Sequence, residues 1–209
     1  MNLTFDRERH IYRLDNQIIP SVTQIINPFI DLSRVPGDVL IHAQDFGNAV
    51  HLACSLWDNN DLDERSVDDA IRPYLTGWQK FRAESKCEIL ANEQIIASET
   101  LRVGGTIDRV LKLWGNIAIL DIKTGIEKDT EGLQTAAYQY LWNQRSELKA
   151  VKRYSLHFPD SKPILREFKG LDDLPTFMAL VQVRNYALKH GVNHYFWSVE
   201  SEELDGNNV

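Results

Sequence analysis

The chain has 209 residues, 43% hydrophobic and 25% charged, and its 23 basic and 30 acidic residues leave a net charge of −7. That length can bury a full hydrophobic core as one domain, and the balance excludes collagen, coiled coil and wholesale disorder. The acidic surplus excludes a polybasic nucleic-acid binder, yet leaves open a metal-dependent enzyme in which bound cations meet a phosphate.

In chain order, the opening MNLTFDRERH lacks the apolar core of a signal peptide, and no run approaches the ~18 apolar residues of a membrane span. A soluble, cytoplasmic protein is expected. Leu3, Phe5, Ile11 and Tyr12 around a polar stretch predict a short hairpin. Ser21 and Gln24 then form a capping box for a brief helix. Apolar residues at helical spacing predict a helix over 39–57 and a second after Ser66, through Ile71, Leu75, Trp78 and Phe81. Cys54 and Cys87 form no C-x-x-C pair, which speaks for a reducing setting and against a cysteine-built zinc or iron–sulfur site. From Cys87 the texture turns to strands over 87–98 and 100–114, with Gly104-Gly105 as turn punctuation. The apolar run Asn116–Ile122 reads as a central buried strand. A helix over 130–146, strands over 151–158 and 164–168, a helix over 174–189 and a frayed acidic tail complete the chain. This order predicts an α/β protein built on one mixed sheet, not a doubly wound parallel one.

Five [Asp/Glu]-x-Lys triplets occur, at Glu84, Asp121, Glu147, Asp160 and Glu167. Asp121 alone ends a strand apolar enough to be central, where a charge is costly unless paired or metal-bound. Asp108, in Gly104-Gly105-Thr106-Ile107-Asp108-Arg109-Val110, interrupts another β-branched run. If the two strands are joined through the Gly115-Asn116 turn, Asp108 and Asp121 lie about equally far from it. They then face each other with Cβ atoms about 5 Å apart. Two carboxylates so close repel unless a cation intervenes, and acidic oxygen ligands suit Mg²⁺ or Mn²⁺. His51 is a candidate additional ligand. Glu99 is either a solvated strand-end acid or part of the site. Gln134 and Tyr138, one helical turn apart, could contact a phosphate or Lys123.

Taken in order, Gly47-x-x-x-His51, Glu99, Gly105-Thr106-Ile107-Asp108-Arg109-Val110, Ile119-Leu120-Asp121-Ile122-Lys123-Thr124-Gly125 and Gln134-Thr135-Ala136-Ala137-Tyr138-Gln139 resemble the PD-(D/E)XK nuclease superfamily. Its RecB-like and phage-exonuclease-like branch is the nearest in pattern. The resemblance implies a restriction-endonuclease-like core, a central mixed β-sheet flanked by helices, with an N-terminal helical region. One domain would span 1–209: a hairpin and helical arch at 1–86, the catalytic core at 87–190 and a flexible tail at 199–209. It also implies one or two Mg²⁺ or Mn²⁺ ions at Asp108, Asp121 and His51, with Ile122 beside them. Lys123 would orient or activate the attacking water, with Glu99, Gln134 and Tyr138 in support. Candidate substrate contacts are Arg102, Arg109, Tyr138 and Arg153, with Lys112 and Lys128, and an exposed Trp57, Trp78 or Phe81 could stack on a frayed base. The implied substrate is linear or single-stranded DNA in phage or bacterial recombination, repair or processing. The setting is the cytoplasm of a bacterial or phage-infected cell, with a homo-oligomer or helicase partner left open. A sequence- or structure-directed endonuclease and a non-catalytic scaffold or inhibitor are the alternatives.

Overall fold

The computed structural model describes residues 2–30 and 35–192. Its main sheet has five strands in the order β4-β5-β6-β7-β8. β4 (Glu88–Ser98), β5 (Val103–Leu113) and β6 (Asn116–Lys123) form the expected antiparallel meander, with β6 at the centre. The chain crosses over through α4 (Thr130–Arg145) to β7 (Lys152–His157), which lies parallel to β6. β8 (Ile164–Glu167) closes the sheet antiparallel to β7.

β6 reads as a continuous apolar run because both its faces are covered. Ile119 packs with α1 (Val22–Ile26), α4 and α5 (Asp173–Lys189), through Ile25, Leu133 and Phe177. Its neighbours Ala118 and Leu120 pack with α2 (Gly37–Asp58) and α3 (Arg72–Ser85), through Cys54, Trp78 and Phe81. Alternation along the strand therefore feeds two cores, one on each side of the sheet.

Local signals explain two of these element ends. The Ser21 hydroxyl accepts from the Gln24 N–H while Gln24 Oε1 accepts from the Ser21 N–H, the expected capping box. Trp114 (φ 48°) and Gly115 (φ 82°) make the two-residue turn between β5 and β6, the left-handed pair that a twisted hairpin favours.

Three expectations need correction. The N-terminus is a three-stranded antiparallel sheet, β1 (Leu3–Asp6), β2 (Ile11–Leu14) and β3 (Gln17–Ile19), rather than a hairpin. Asp15 (φ 50°) and Asn16 (φ 65°) supply its second reversal, since short polar side chains tolerate left-handed backbone. Gly104 and Gly105 lie inside β5, and the reversal falls at residues 99–102. These glycines provide room: a Cβ at Gly104 would sit 3.0 Å from Tyr12 Cγ, and one at Gly105 2.7 Å from Tyr138 Cε1. Finally, α3 and the second half of α2 pack on the sheet instead of arching free of it, so Trp78 and Phe81 are buried and Trp57 packs against them. The Trp78 and Phe81 rings are therefore not free to stack on a base, whereas Trp57 is only partly buried. The tail expected at 199–209 lies outside the described residues.

The packing of α3 yields a test. Replacing a helical glycine by alanine ordinarily gains up to about 1 kcal/mol. At Gly77, however, the new Cβ would lie 2.5 Å from Phe158 Cδ1, and overpacking a core costs about 1–3 kcal/mol. Gly77→Ala should therefore lower the Tm, by about 2–4 °C for each kcal/mol lost. Gly37→Ala, with nothing within 4 Å of its Cβ, should leave the Tm unchanged or slightly higher in the same thermal melt.

Candidate active site

The β5–β6 ladder runs from the Leu113–Asn116 pair to the Arg109–Leu120 pair and stops there. At the next position the Asp108 side chain takes over: its Oδ2 accepts from the Ile122 N–H at 2.6 Å. The same register sets Asp108 beside Asp121. On the other side, β4 pairs Asn92 with Arg109 and Gln94 with Ile107, which leaves Glu93 facing Asp108. Glu93 has φ 48°, an uncommon backbone state for this residue type, at the point where the acid joins the site. From α2, His51 Nδ1 reaches Asp108 Oδ1 at 3.3 Å and Glu93 Oε1 at 4.0 Å.

Lys123 Nζ lies 2.6 Å from Asp121 Oδ2 and donates to Gln134 Oε1 at 2.8 Å. An ammonium only donates, so the Gln134 oxygen must face Lys123 and its amide nitrogen must face Tyr138. Gln134 Nε2 accordingly donates to the Tyr138 hydroxyl at 3.3 Å. Beneath the acids lies a fully buried cation. Arg109 Nε donates to Asp58 Oδ2 at 2.7 Å, and its Nη1 donates to Glu93 Oε1 at 3.1 Å and to the Asp108 carbonyl at 2.6 Å. Its guanidinium also stacks over Trp78, and Asp58 takes further donors from Trp78 and Arg82.

Crowding shifts the acids in opposite directions. Burial pushes Asp121 up to about 6, with Asp108 adding to the rise against Lys123. Burial likewise pushes Glu93 up to about 7, with Asp108 again adding to the rise. For Asp108 burial is outweighed by His51, Lys123 and the Ile122 N–H, which hold it below the usual carboxylate range. Burial would lower His51, but Asp108, Glu93 and Asp121 overcome it and raise the imidazole to about 9. Lys123 is likewise held above its ordinary value by Asp121 and Asp108 against the effect of burial.

One ligand atom each from His51, Glu93 and Asp108 all lie within 4.8 Å of one another. Carboxylate oxygens with one imidazole nitrogen fit a divalent cation such as Mn²⁺ or Mg²⁺.

A family model described as the PD-(D/E)XK nuclease superfamily matches residues 31–190. The chain belongs to that superfamily. Among solved structures, SSO0001 is 12% identical at a TM-score of 0.37, covering 81% of this chain and 75% of its own. A protein named "Putative exonuclease", from Eubacterium rectale, is 15% identical at a TM-score of 0.40, covering 73% of this chain and 69% of its own. No curated protein matches the chain.

In this superfamily member the structure brings His51, Asp108, Asp121, Lys123, Gln134 and Tyr138 to one cavity. Ile122 contributes its N–H to Asp108 while its side chain packs in the core. Other expectations are overturned. Glu99 sits exposed in the β4–β5 turn outside the cavity, and Glu93 occupies the place expected of it. Arg109 is no substrate contact, because Asp58, Glu93 and the Asp108 carbonyl consume it in the core. Arg153 is buried between the Gly132 and Gly170 carbonyls and Asp173. Arg102 binds Gln17 and the Leu14 carbonyl, tying the turn to the small sheet. Lys112 and Lys128 do not line the cavity either. Cys54 and Cys87 are buried core residues, and burial pushes the Cys54 thiol up to about 12.

The charge balance predicts a pH dependence. Asp121, Glu93 and His51 each hold a proton more tightly folded than unfolded, so each contributes stability that is lost as pH rises through about 6, 7 and 9. Asp108 opposes this trend only below the ordinary carboxylate range. The metal-free Tm should therefore fall between about pH 5 and about pH 9, and Mn²⁺ should raise it more at pH 8 than at pH 5. A metal-free Tm that climbs across this range in scanning calorimetry would contradict the crowding described.

Proposed function

We propose that this chain is a Mg²⁺- or Mn²⁺-dependent deoxyribonuclease of the RecB-like, phage-exonuclease-like branch. Its substrate would be linear or single-stranded DNA in phage or bacterial recombination, repair or processing. The observation that carries the reading is the convergence of Asp108, Asp121, Lys123, Glu93 and His51 in one cavity of about 360 Å³. His51, Glu93 and Asp108, with Asp121 beside them, would hold the cation. The ion would supply Lewis acidity at the phosphate and a water of lowered pKa.

The chain's own groups then have separable tasks. The Ile122 N–H fixes the Asp108 carboxylate before substrate arrives. Lys123 keeps its proton between Asp121 and Gln134, so it serves as a donor that orients the attacking water or a phosphate oxygen rather than as a base. The Tyr138 hydroxyl accepts from Gln134, leaving its own hydrogen to donate to a phosphate oxygen. Asp108 and Asp121 are only 6% and 2% exposed. A phosphate must therefore enter the cavity, which favours a strand end or an unpaired strand over an intact duplex.

Two experiments test this reading. Labelled linear DNA with Mg²⁺ or Mn²⁺ should be degraded and EDTA should stop it, while covalently closed duplex circles survive. Asp108→Asn and Asp121→Asn should each cut turnover at least about a hundredfold, since a lost metal ligand removes several kcal/mol of transition-state stabilisation. Asp160→Asn, on an exposed turn, should retain activity. Without metal, Asp121→Asn should melt higher, because the cost of burying that charge beside Asp108 outweighs its pairing with Lys123. Asp108→Asn should not, because its carboxylate holds His51 and the Ile122 N–H. Rapid nicking of closed circles would instead support an endonuclease.

The second experiment separates the two glutamates. Glu93→Gln should weaken Mn²⁺ binding about tenfold or more in calorimetric titration, and Glu99→Gln should leave it unchanged. Equal affinity in both variants would remove Glu93 from the metal set.

A further inference from the structure

Part of the cavity's wall is built from the N-terminal sheet and the start of α1, with Phe5, Arg7, His10, Tyr12, Ser21 and Thr23 lining it. This wall is anchored to the strand that carries Asp108. The Tyr12 hydroxyl shares a 2.8 Å hydrogen bond with Thr106, the Tyr12 ring packs over Gly104, and the Gly104 N–H donates to the Pro20 carbonyl. The hairpin tip is set locally, because Asp6 Oδ1 accepts from the N–H groups of Glu8 and Arg9. Phe5 stacks on Tyr12 at 4.3 Å between ring centroids, and His10 stands edge-on to both. The cations lining the cavity are Arg7, His51 and Lys123, and the last two are committed to carboxylates; His10 is a neutral ring, its pKa lowered by burial. Arg7 makes no ion pair among the described residues. It is an unspent guanidinium next to half-exposed aromatic surface, within reach of a strand entering the acid site.

We propose that this wall is a nucleotide subsite: Arg7 binds a backbone phosphate of an unpaired strand, and the Phe5–His10 ring cluster takes the adjoining base. The substrate class is then a single-stranded segment, free or frayed from a linear end. This rests on the nuclease reading above. A ring beside a cation is a combination that binds single strands without sequence preference, because every base offers a π-face.

The test is fluorescence anisotropy with a labelled single-stranded oligonucleotide, in an Asp121→Asn background so that nothing is cut. Arg7→Gln should weaken binding and reduce the slope of log K against log salt by about 0.7, the value of one phosphate contact on a single strand. Arg9→Gln removes the same charge from the same hairpin tip but lies outside the cavity lining, and should change neither. Phe5→Leu keeps the apolar bulk of the small sheet while removing the ring, and should weaken binding roughly tenfold. Binding of a covalently closed duplex circle, which has no unpaired segment, should respond to none of these changes. Equal effects of Arg7→Gln and Arg9→Gln, no effect of Arg7→Gln or of Phe5→Leu, or equal losses on the closed duplex would overturn the subsite. Failure of the nuclease reading is separately visible, as a wild-type chain that cuts no DNA while these binding differences persist.

Discussion

The hydrogen bond from the Ile122 N–H to Asp108 Oδ2 stands where a rung of the β5–β6 ladder would otherwise form. A central strand cannot leave a buried N–H unpaired without a cost comparable to a lost hydrogen bond. Here a side-chain carboxylate meets that demand and the two backbones are released from each other. The gap lets Asp108, Asp121 and Glu93 gather on three neighbouring strands where the β5–β6 ladder ends. Everything else around the site answers the charge that this gathering creates.

Burying carboxylates costs several kcal/mol per ion unless close partners repay it. The repayment arrives from two directions. Arg109, held by Asp58 and Trp78 in the core beneath, fixes Glu93 and the Asp108 carbonyl. His51 from α2 and Lys123 from β6 meet Asp108 and Asp121 at the cavity surface. The buried cation is permanent, since a guanidinium does not deprotonate in proteins. The groups facing the cavity are those a divalent ion would displace or neutralise. Support and chemistry are thus divided between the core and the cavity surface.

Glycine at 104 and 105 completes the arrangement by letting two tyrosines close on β5 just before Asp108. Tyr12 comes from the small sheet and Tyr138 from α4. Side chains at those positions would push both rings back and open the cavity on opposite sides. The close approach explains why the strand carries two residues that otherwise weaken β-structure.

Much of this was legible in the chain because it is local. The strand texture of β6 and a reversal at Gly115-Asn116, from which Asp108 and Asp121 are about equally far, placed the two acids near each other, and the actual turn at Trp114-Gly115 sets them face to face. Hairpin register follows from its turn, and the sequence located that turn to within one residue. Glu99, named as a strand-end acid and by the resemblance, sits instead in the reversal at 99–102, and the β4–β5 register makes Glu93 the residue opposite Asp108. Arg109 looked like a phosphate contact because nothing in its own strand announces Asp58, which lies on α2 and reaches it only through packing. The same holds for the wall of the cavity, since Phe5 and Arg7 lie about a hundred residues from Asp108 in sequence. The amino-acid sequence by itself determined the elements, the central strand and the facing acids, all set by side-chain period and nearby turns. The tertiary structure alone decided which charges are spent on one another and which remain for a ligand, because ion pairing depends on distances that only the folded chain creates.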